Sequence, residues 1–180
     1  MNYGACRDLG DEGCELVIRW LESRGAVFQG RVVRTDKGRI SLFLQRSVGD
    51  ILYNPDRYSV LSIEVKTERR DSPNLFLEVW SNATDECRTP GWMVTLDADW
   101  LFYYFKESDS LCTVNFQKLK RWAIDARHIY EFPEREQVTN QQLNRTVGRI
   151  VPIAVLQREV GLRTYALIRE IEAREREAAS

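Results

Sequence analysis

Histidine is almost missing from this chain: His128 is the only one among 180 residues. Proline is scarce, at 5, and the four cysteines (Cys6, Cys14, Cys87, Cys112) stand apart with no CxxC pair. No apolar run approaches the roughly 20 residues that a membrane-spanning helix needs. Each shortage removes a class of function. Without clustered histidines or paired cysteines, a zinc site or a disulfide framework is not expected, and the cysteines read as small core residues in a reducing interior. His128 has no serine or cysteine pattern near it, so it is not read as a catalyst. No basic stretch followed by an apolar run opens the chain, so secretion is not expected and a cytoplasmic location is, with no membrane partner. Repeats and low-complexity segments are absent.

What is present is an ordinary globular composition, 43% hydrophobic and 29% charged. The length suits one domain over residues 1–180, with a core over about 11–156 and a C-terminal helix over about 162–178. The net charge of −1 decides nothing about nucleic acid, because a basic groove can coexist with an acidic remainder. The cations are 21 Arg and 5 Lys. Arginine forks suit phosphate, but a GC-rich coding sequence produces the same bias.

Periodicity orders the chain. Asp8 to Ser23 reads as a helix capped by Asp8 or Asp11, with Leu16, Val17, Trp20 and Leu21 on its apolar stripe and Arg24-Gly25 as its stop. Ala26 to Arg34 and Arg39 to Leu44 read as a hairpin. Ile51-Leu52-Tyr53 and Tyr58 to Lys66 read as a second hairpin about the turn Asn54-Pro55-Asp56-Arg57. Leu75 to Trp80 is a further strand, and Ser81 to Gly91 a loop. Trp92-Met93-Val94 reads as a strand, and Ala98 to Phe105 as a helix or a strand. Leu111 to Asn115 is a strand and Phe116 to Ile124 a helix. Arg127 to Asn144 is a polar surface excursion. Val147 to Leu156 is a buried strand that Pro152 confines to an edge or breaks. Leu162 to Ala178 is a helix with Glu170–Arg174 and Glu172–Arg176 pairs. The aromatic run from Trp100 to Phe105 and Trp92 read as core rather than as base-stacking platforms; Asp99 reads as a cap or surface acid. Together these elements predict one α/β domain with a central mixed sheet flanked by helices.

The segment Ile63-Glu64-Val65-Lys66 carries the chemistry. Strand alternation sends Glu64 and Lys66 to one face and Ile63 and Val65 to the other. An antiparallel hairpin about residues 54–57 brings Asp50 to the same edge. Two carboxylates and an ammonium at one point fit a hard divalent cation, which takes carboxylate and carbonyl oxygens, beside an amine that steadies a reacting oxygen. The backbone carbonyl of Val65 offers a third oxygen. Glu15 reaches toward the edge from its helix and Glu78 from the next strand. Taken alone, Glu64 and Lys66 read rather as a solvated strand face with Glu68 and Arg70; Asp50 and the order of elements turn the reading to a metal site.

The pattern Gly49-Asp50-Ile51, Ile63-Glu64-Val65-Lys66, Asn74-Leu75-Phe76-Leu77-Glu78, Gly91-Trp92, Asp99 and Gly148-Arg149-Ile150-Val151-Pro152-Ile153 resembles the PD-(D/E)XK nuclease superfamily, particularly small phage-encoded members, over roughly Asp11 to Pro152. The resemblance implies a restriction-endonuclease-like fold and a Mg²⁺-dependent deoxyribonuclease, with Mn²⁺ able to substitute. Asp50, Glu64, Lys66 and Glu15 are the implied catalytic residues, and Asp50, Glu64, Val65 and Glu78 the implied metal set. Pro55-Asp56 also matches the motif, although Asp56 falls inside the turn. Arg69 and Arg70 are candidate phosphate contacts. The implied partner is DNA, with RNA not separated from it, and cutting both strands at once calls for a homodimer. Nicking and branched-DNA cleavage are subclasses of the same reading. The rival is a catalytically silent nuclease-like module that binds DNA or a protein, such as an inhibitor of a host enzyme.

Overall fold

A strand that is apolar on both sides must be covered on both sides. Trp100–Phe105 is such a strand: Phe102 and Tyr104 belong to one buried cluster, and Leu101, Tyr103 and Phe105 to another. The computed structural model, which describes residues 3–31, 48–56, 58–84, 87–137 and 145–179, builds its layers around that strand. In chain order the elements are α1 (Tyr3–Ser23), β1 (Val27–Arg31), β2 (Ile51–Asn54), β3 (Leu61–Glu68), β4 (Asn74–Thr84), β5 (Cys87–Pro90), α2 (Trp92–Thr95), β6 (Trp100–Phe105), β7 (Ser110–Asn115), α3 (Phe116–Ala123), α4 (Ala126–Glu131), β8 (Arg135–Gln137), β9 (Thr146–Pro152), α5 (Ile153–Val160), β10 (Arg163–Ala166) and α6 (Leu167–Ala178).

The larger sheet has six strands in the order β1-β2-β3-β6-β7-β10. All its pairings are antiparallel except β3 with β6, where Glu64 stands beside Leu101 and Lys66 beside Tyr103. Parallel neighbours need a long crossover, and here the crossover contains β4, β5 and α2. Those strands, with β8 and β9, form a second sheet of four antiparallel strands in the order β5-β4-β9-β8. On one side of the large sheet, Val17, Trp20 and Leu21 of α1 and Leu167 and Ile171 of α6 pack with Ile51, Ile63, Val65, Phe102 and Tyr104. On the other, Leu75 and Leu77 of β4, Trp92 and Met93 of α2 and Leu119 of α3 pack with Leu101, Tyr103 and Phe105. Each buried large apolar side chain contributes about 1.5–3 kcal/mol.

The mixed α/β class read from the sequence is therefore present, and the aromatic run is core. The second sheet was not expected. It converts the anticipated loop after Trp80 into the end of β4 and β5, and it recruits β8 from the anticipated surface excursion. That excursion also holds α4, whose His128 is buried. Residues 138–144 of it, and residues 32–47 of the first anticipated hairpin, lie outside the described residues; β1 pairs with β2.

Other boundaries moved for local reasons. Helix α1 starts at Tyr3, so Asp8 and Asp11 lie inside it and do not cap it. Trp92–Thr95 is helical rather than extended. Pro152 ends β9, and α5 follows. Gly161, left-handed at φ 75°, closes α5, and the next residues pair with β7 as β10 before α6 begins. In α6, Glu170 turns to Trp20 Nε1 (3.1 Å) and to Arg24 of α1, and Glu175 pairs with Arg19 at 2.8 Å. These bonds join the two helices over one face, where pairing within α6 had been expected. No helix among the described residues is long and apolar enough to cross a membrane.

Contact between α1 and β3 is close at Gly13, where an added Cβ would lie 1.9 Å from Thr67 Oγ1 and 3.1 Å from its Cβ. At Gly10, on the same helix, an added Cβ meets nothing within 4 Å. Gly10→Ala should therefore stabilise the protein by about 0.5–1 kcal/mol, whereas Gly13→Ala should cost about 1–3 kcal/mol by overpacking. Urea denaturation of both variants checks this, and equal effects at the two positions would contradict the packing described.

Candidate functional site

The site begins with a backbone requirement. Gly49 has φ 75°, and a Cβ there would lie 2.7 Å from the Ile63 carbonyl oxygen. Only glycine takes this conformation readily. The turn delivers Asp50, whose N–H donates to the Ile63 carbonyl at 2.8 Å. Pairing of Ile51 with Ile63 then sets Asp50 across from Glu64. Asp50 Oδ2 accepts the Val65 N–H at 2.9 Å, so its side chain continues the ladder where β2 stops.

Glu64 faces the layer between the two sheets and is 5% exposed. Its Oε1 lies 2.5 Å from Lys66 Nζ. Its Oε2 is buried with no hydrogen-bond donor. Burial pushes the Glu64 pKa from 4.5 to about 7; Lys66 opposes this, and the adjoining Asp50 carboxyl adds to it by charge and by its readiness to share a proton. For Lys66, burial favours the neutral amine, but the charges of Glu64, Asp50 and Glu78 outweigh burial and raise its pKa. The ammonium also lies 5.6 Å from the Trp92 ring centroid.

Glu78 reaches this cluster from the second sheet. Burial raises its pKa, while the Lys66 charge and a hydrogen bond from the Trp92 N–H pull it down. Of the residues anticipated from the sequence, Asp50, Glu64, Val65, Lys66 and Glu78 thus come together. Among the described residues, however, no group of three or more His, Cys, Asp and Glu side chains is placed to hold a metal ion. Asp50 and Glu64 supply two carboxylates, and Glu78 does not complete a set of three with them.

Other residues fall elsewhere. Glu15 is exposed on α1, whose buried side packs with Ile63 and Val65, the face of β3 opposite Glu64 and Lys66. Asp56 holds the turn at the far end of the hairpin, accepting from the N–H groups of Tyr58 and Ser59 at 2.8 Å each. Arg69 and Arg70 are exposed beyond β3, and Arg69 lines a depression with Asp8, Glu12, Lys106 and Glu107, where neighbouring carboxylates offset its charge. His128 stacks on Trp122 at 4.1 Å and packs beside Glu159, away from this cluster.

Two contributions escaped the sequence reading. Asp99 is neither a helix cap nor a free surface acid: its Oδ2 accepts from the Ser62 N–H (2.8 Å) and hydroxyl (2.9 Å), fastening β6 to β3 two residues before Glu64. Gly91 packs directly on Glu78, where an added Cβ would lie 2.7 Å from its Cγ. Gly91-Trp92 was visible as a motif, but its role needed β4 beside it.

The raised pKa of Glu64 has a consequence for stability. The folded chain keeps a proton that the unfolded chain releases between pH 4.5 and about 7. Stability from this group is present below that window and declines as pH rises through it, by about 3 kcal/mol at most. Glu64→Gln removes the titration, so the variant should gain on the wild type between about pH 5 and pH 8 in urea melts. A constant difference across that range would contradict the burial described.

No protein-family model matches the chain, and neither the curated proteins nor the solved structures include a match.

Proposed function

We propose that this protein is a metal-dependent endonuclease that hydrolyses phosphodiester bonds in DNA, on a restriction-endonuclease-like version of its α/β fold. The observation that carries this reading is the buried Glu64 carboxyl, with one oxygen lacking a donor, directly across the strand register from Asp50 and two residues before Lys66. Leaving two acids together in a desolvated site is costly unless something positive joins them. A hard divalent cation such as Mg²⁺ suits these oxygens and needs only one or two protein carboxylates. Asp50, Glu64 and the Val65 carbonyl are the groups that would hold it; once bound, it would polarise the phosphate and activate water.

The chain's own residues supply the rest. Lys66 places a positive charge beside the carboxylates, where it orients the attacking water and offsets charge gathering on the phosphate oxygens. Asp50 aligns the edge by holding the Val65 N–H. Burial between the sheets lowers the local polarisability and strengthens each of these interactions. Recognition works mainly through phosphates and is therefore salt-sensitive.

One observation favours a second reading. The Lys66–Glu64 ion pair at 2.5 Å neutralises itself without a cation, as in a nuclease-like scaffold that only binds DNA or another protein. A substrate panel separates the two: supercoiled, linear, single-stranded and branched DNA and RNA, each with Mg²⁺, Mn²⁺ or EDTA. The nuclease reading expects cleavage that EDTA abolishes and that Glu64→Ala and Lys66→Ala each lower by about a hundredfold or more, with circular dichroism unchanged. Binding without cleavage in every metal would overturn it.

A further inference from the structure

A carboxylate has two oxygens, and in Glu64 they stand in opposite conditions. Oε1 lies 2.5 Å from Lys66 Nζ, while Oε2 is buried with no hydrogen-bond donor. One half of the group already holds a positive charge, and the other half lacks any partner.

We infer that Lys66 is the resting occupant of the cation position on Glu64, and that its ammonium leaves the carboxylate when a divalent cation enters. The identity of the incoming cation rests on the nuclease reading. The first argument is one of charge. A metal ion on Oε2 with the ammonium still on Oε1 would set two positive charges roughly 5 Å apart on a single carboxylate. The Glu64 side chain is 6% exposed, so little water is present to screen them. One of the two cations has to go.

The second argument concerns which partner can move. Glu64 is buried within β3, and the backbone around it is fastened on both sides. The Asp50 N–H donates to the Ile63 carbonyl at 2.8 Å, and the Val65 N–H donates to Asp50 Oδ2 at 2.9 Å. Lys66 has a flexible four-carbon stem, and its side chain is 31% exposed, which opens a route outward that Glu64 does not have. The ring of Trp92 offers the ammonium a second station, with its centroid 5.6 Å from Nζ, inside the range of a cation–π contact. Release from Glu64 also frees the ammonium to face water and phosphate. The closed ion pair and the nuclease reading are then two states of one site: occupied by the chain's own cation at rest, and by a divalent cation when loaded.

Two measurements on the whole chain test this. In crystals soaked with Mn²⁺, the anomalous signal should sit on the Glu64 carboxylate, and Lys66 Nζ should stand more than about 3.5 Å from Oε1, beyond hydrogen-bond reach. By calorimetry, Lys66→Met should bind Mn²⁺ about tenfold or more tighter than the wild type, because no internal cation competes. Glu64→Gln should bind it at least about tenfold more weakly. Lys66→Gln carries the same expectation as Lys66→Met and replaces it if circular dichroism shows that variant unfolded. Mn²⁺ on Glu64 with the ammonium still paired would overturn the inference and leave the nuclease reading standing, as would equal or weaker Mn²⁺ binding by both Lys66 variants. Mn²⁺ bound by a Lys66 variant and not by the wild type supports the inference, with the ammonium as the stronger occupant. Mn²⁺ bound by none of these proteins defeats the nuclease reading and the exchange together.

Discussion

The pairing of Ile51 with Ile63 governs the rest of this structure. Register in an antiparallel pair determines which side chains share a face, and a one-residue slip inverts them all. In this register Ile51, Ile63 and Val65 are buried beneath α1, Asp50 meets Glu64, and Lys66 follows on the same face. A slip would expose the isoleucines and scatter the charges. The apolar side of β3 thus anchors the polar side, and burial of ordinary aliphatic residues holds a costly carboxylate where water does not reach it.

That cost has to be offset locally. The first strand pair contributes Asp50 and Glu64; the parallel partner β6 covers the strand's other edge, with Asp99 fastening it to Ser62. The ammonium comes from β3 and its remaining neighbours, Glu78 and Trp92, from the crossover between the parallel strands. A helix is the usual crossover, whereas here two strands and a one-turn helix take its place and bring a second sheet. The cluster consequently lies between two sheets instead of at an open rim, which explains both the burial of Glu64 and the number of charges that Lys66 senses.

Much of this was legible in the residues. Alternation alone placed Glu64 and Lys66 on one face, and the turn chemistry of Asn54-Pro55-Asp56 favoured Asp50 over Asp56 as their neighbour. The aromatic run read correctly as core because six large side chains in a row, five of them aromatic, exceed what one exposed face can carry. Pro152 marked the end of a strand, since proline cannot extend a ladder. Less local features were misread. His128 sits in a polar stretch and is buried only because Trp122 stacks on it and Glu159 lies beside it. Arg163 to Ala166 has no pattern that distinguishes it from the helix that follows; β7 makes it a strand by offering a free edge. Glu15 was read as approaching the same edge from its place mid-helix among apolar neighbours, and a place along a helix says nothing about which side of the sheet that helix covers.

The division follows the range of the forces. The sequence by itself determined the period-2 and period-3.6 faces, the turn, the acid–acid–amine set and the glycine that delivers its first member, because each depends on neighbours a few bonds away. Tertiary structure alone decided which sheet face α1 occupies, that a second sheet closes over Lys66, and that Glu78 and Asp99 join opposite ends of the site. Those outcomes depend on burying whole faces against one another, a long-range requirement that no local pattern encodes.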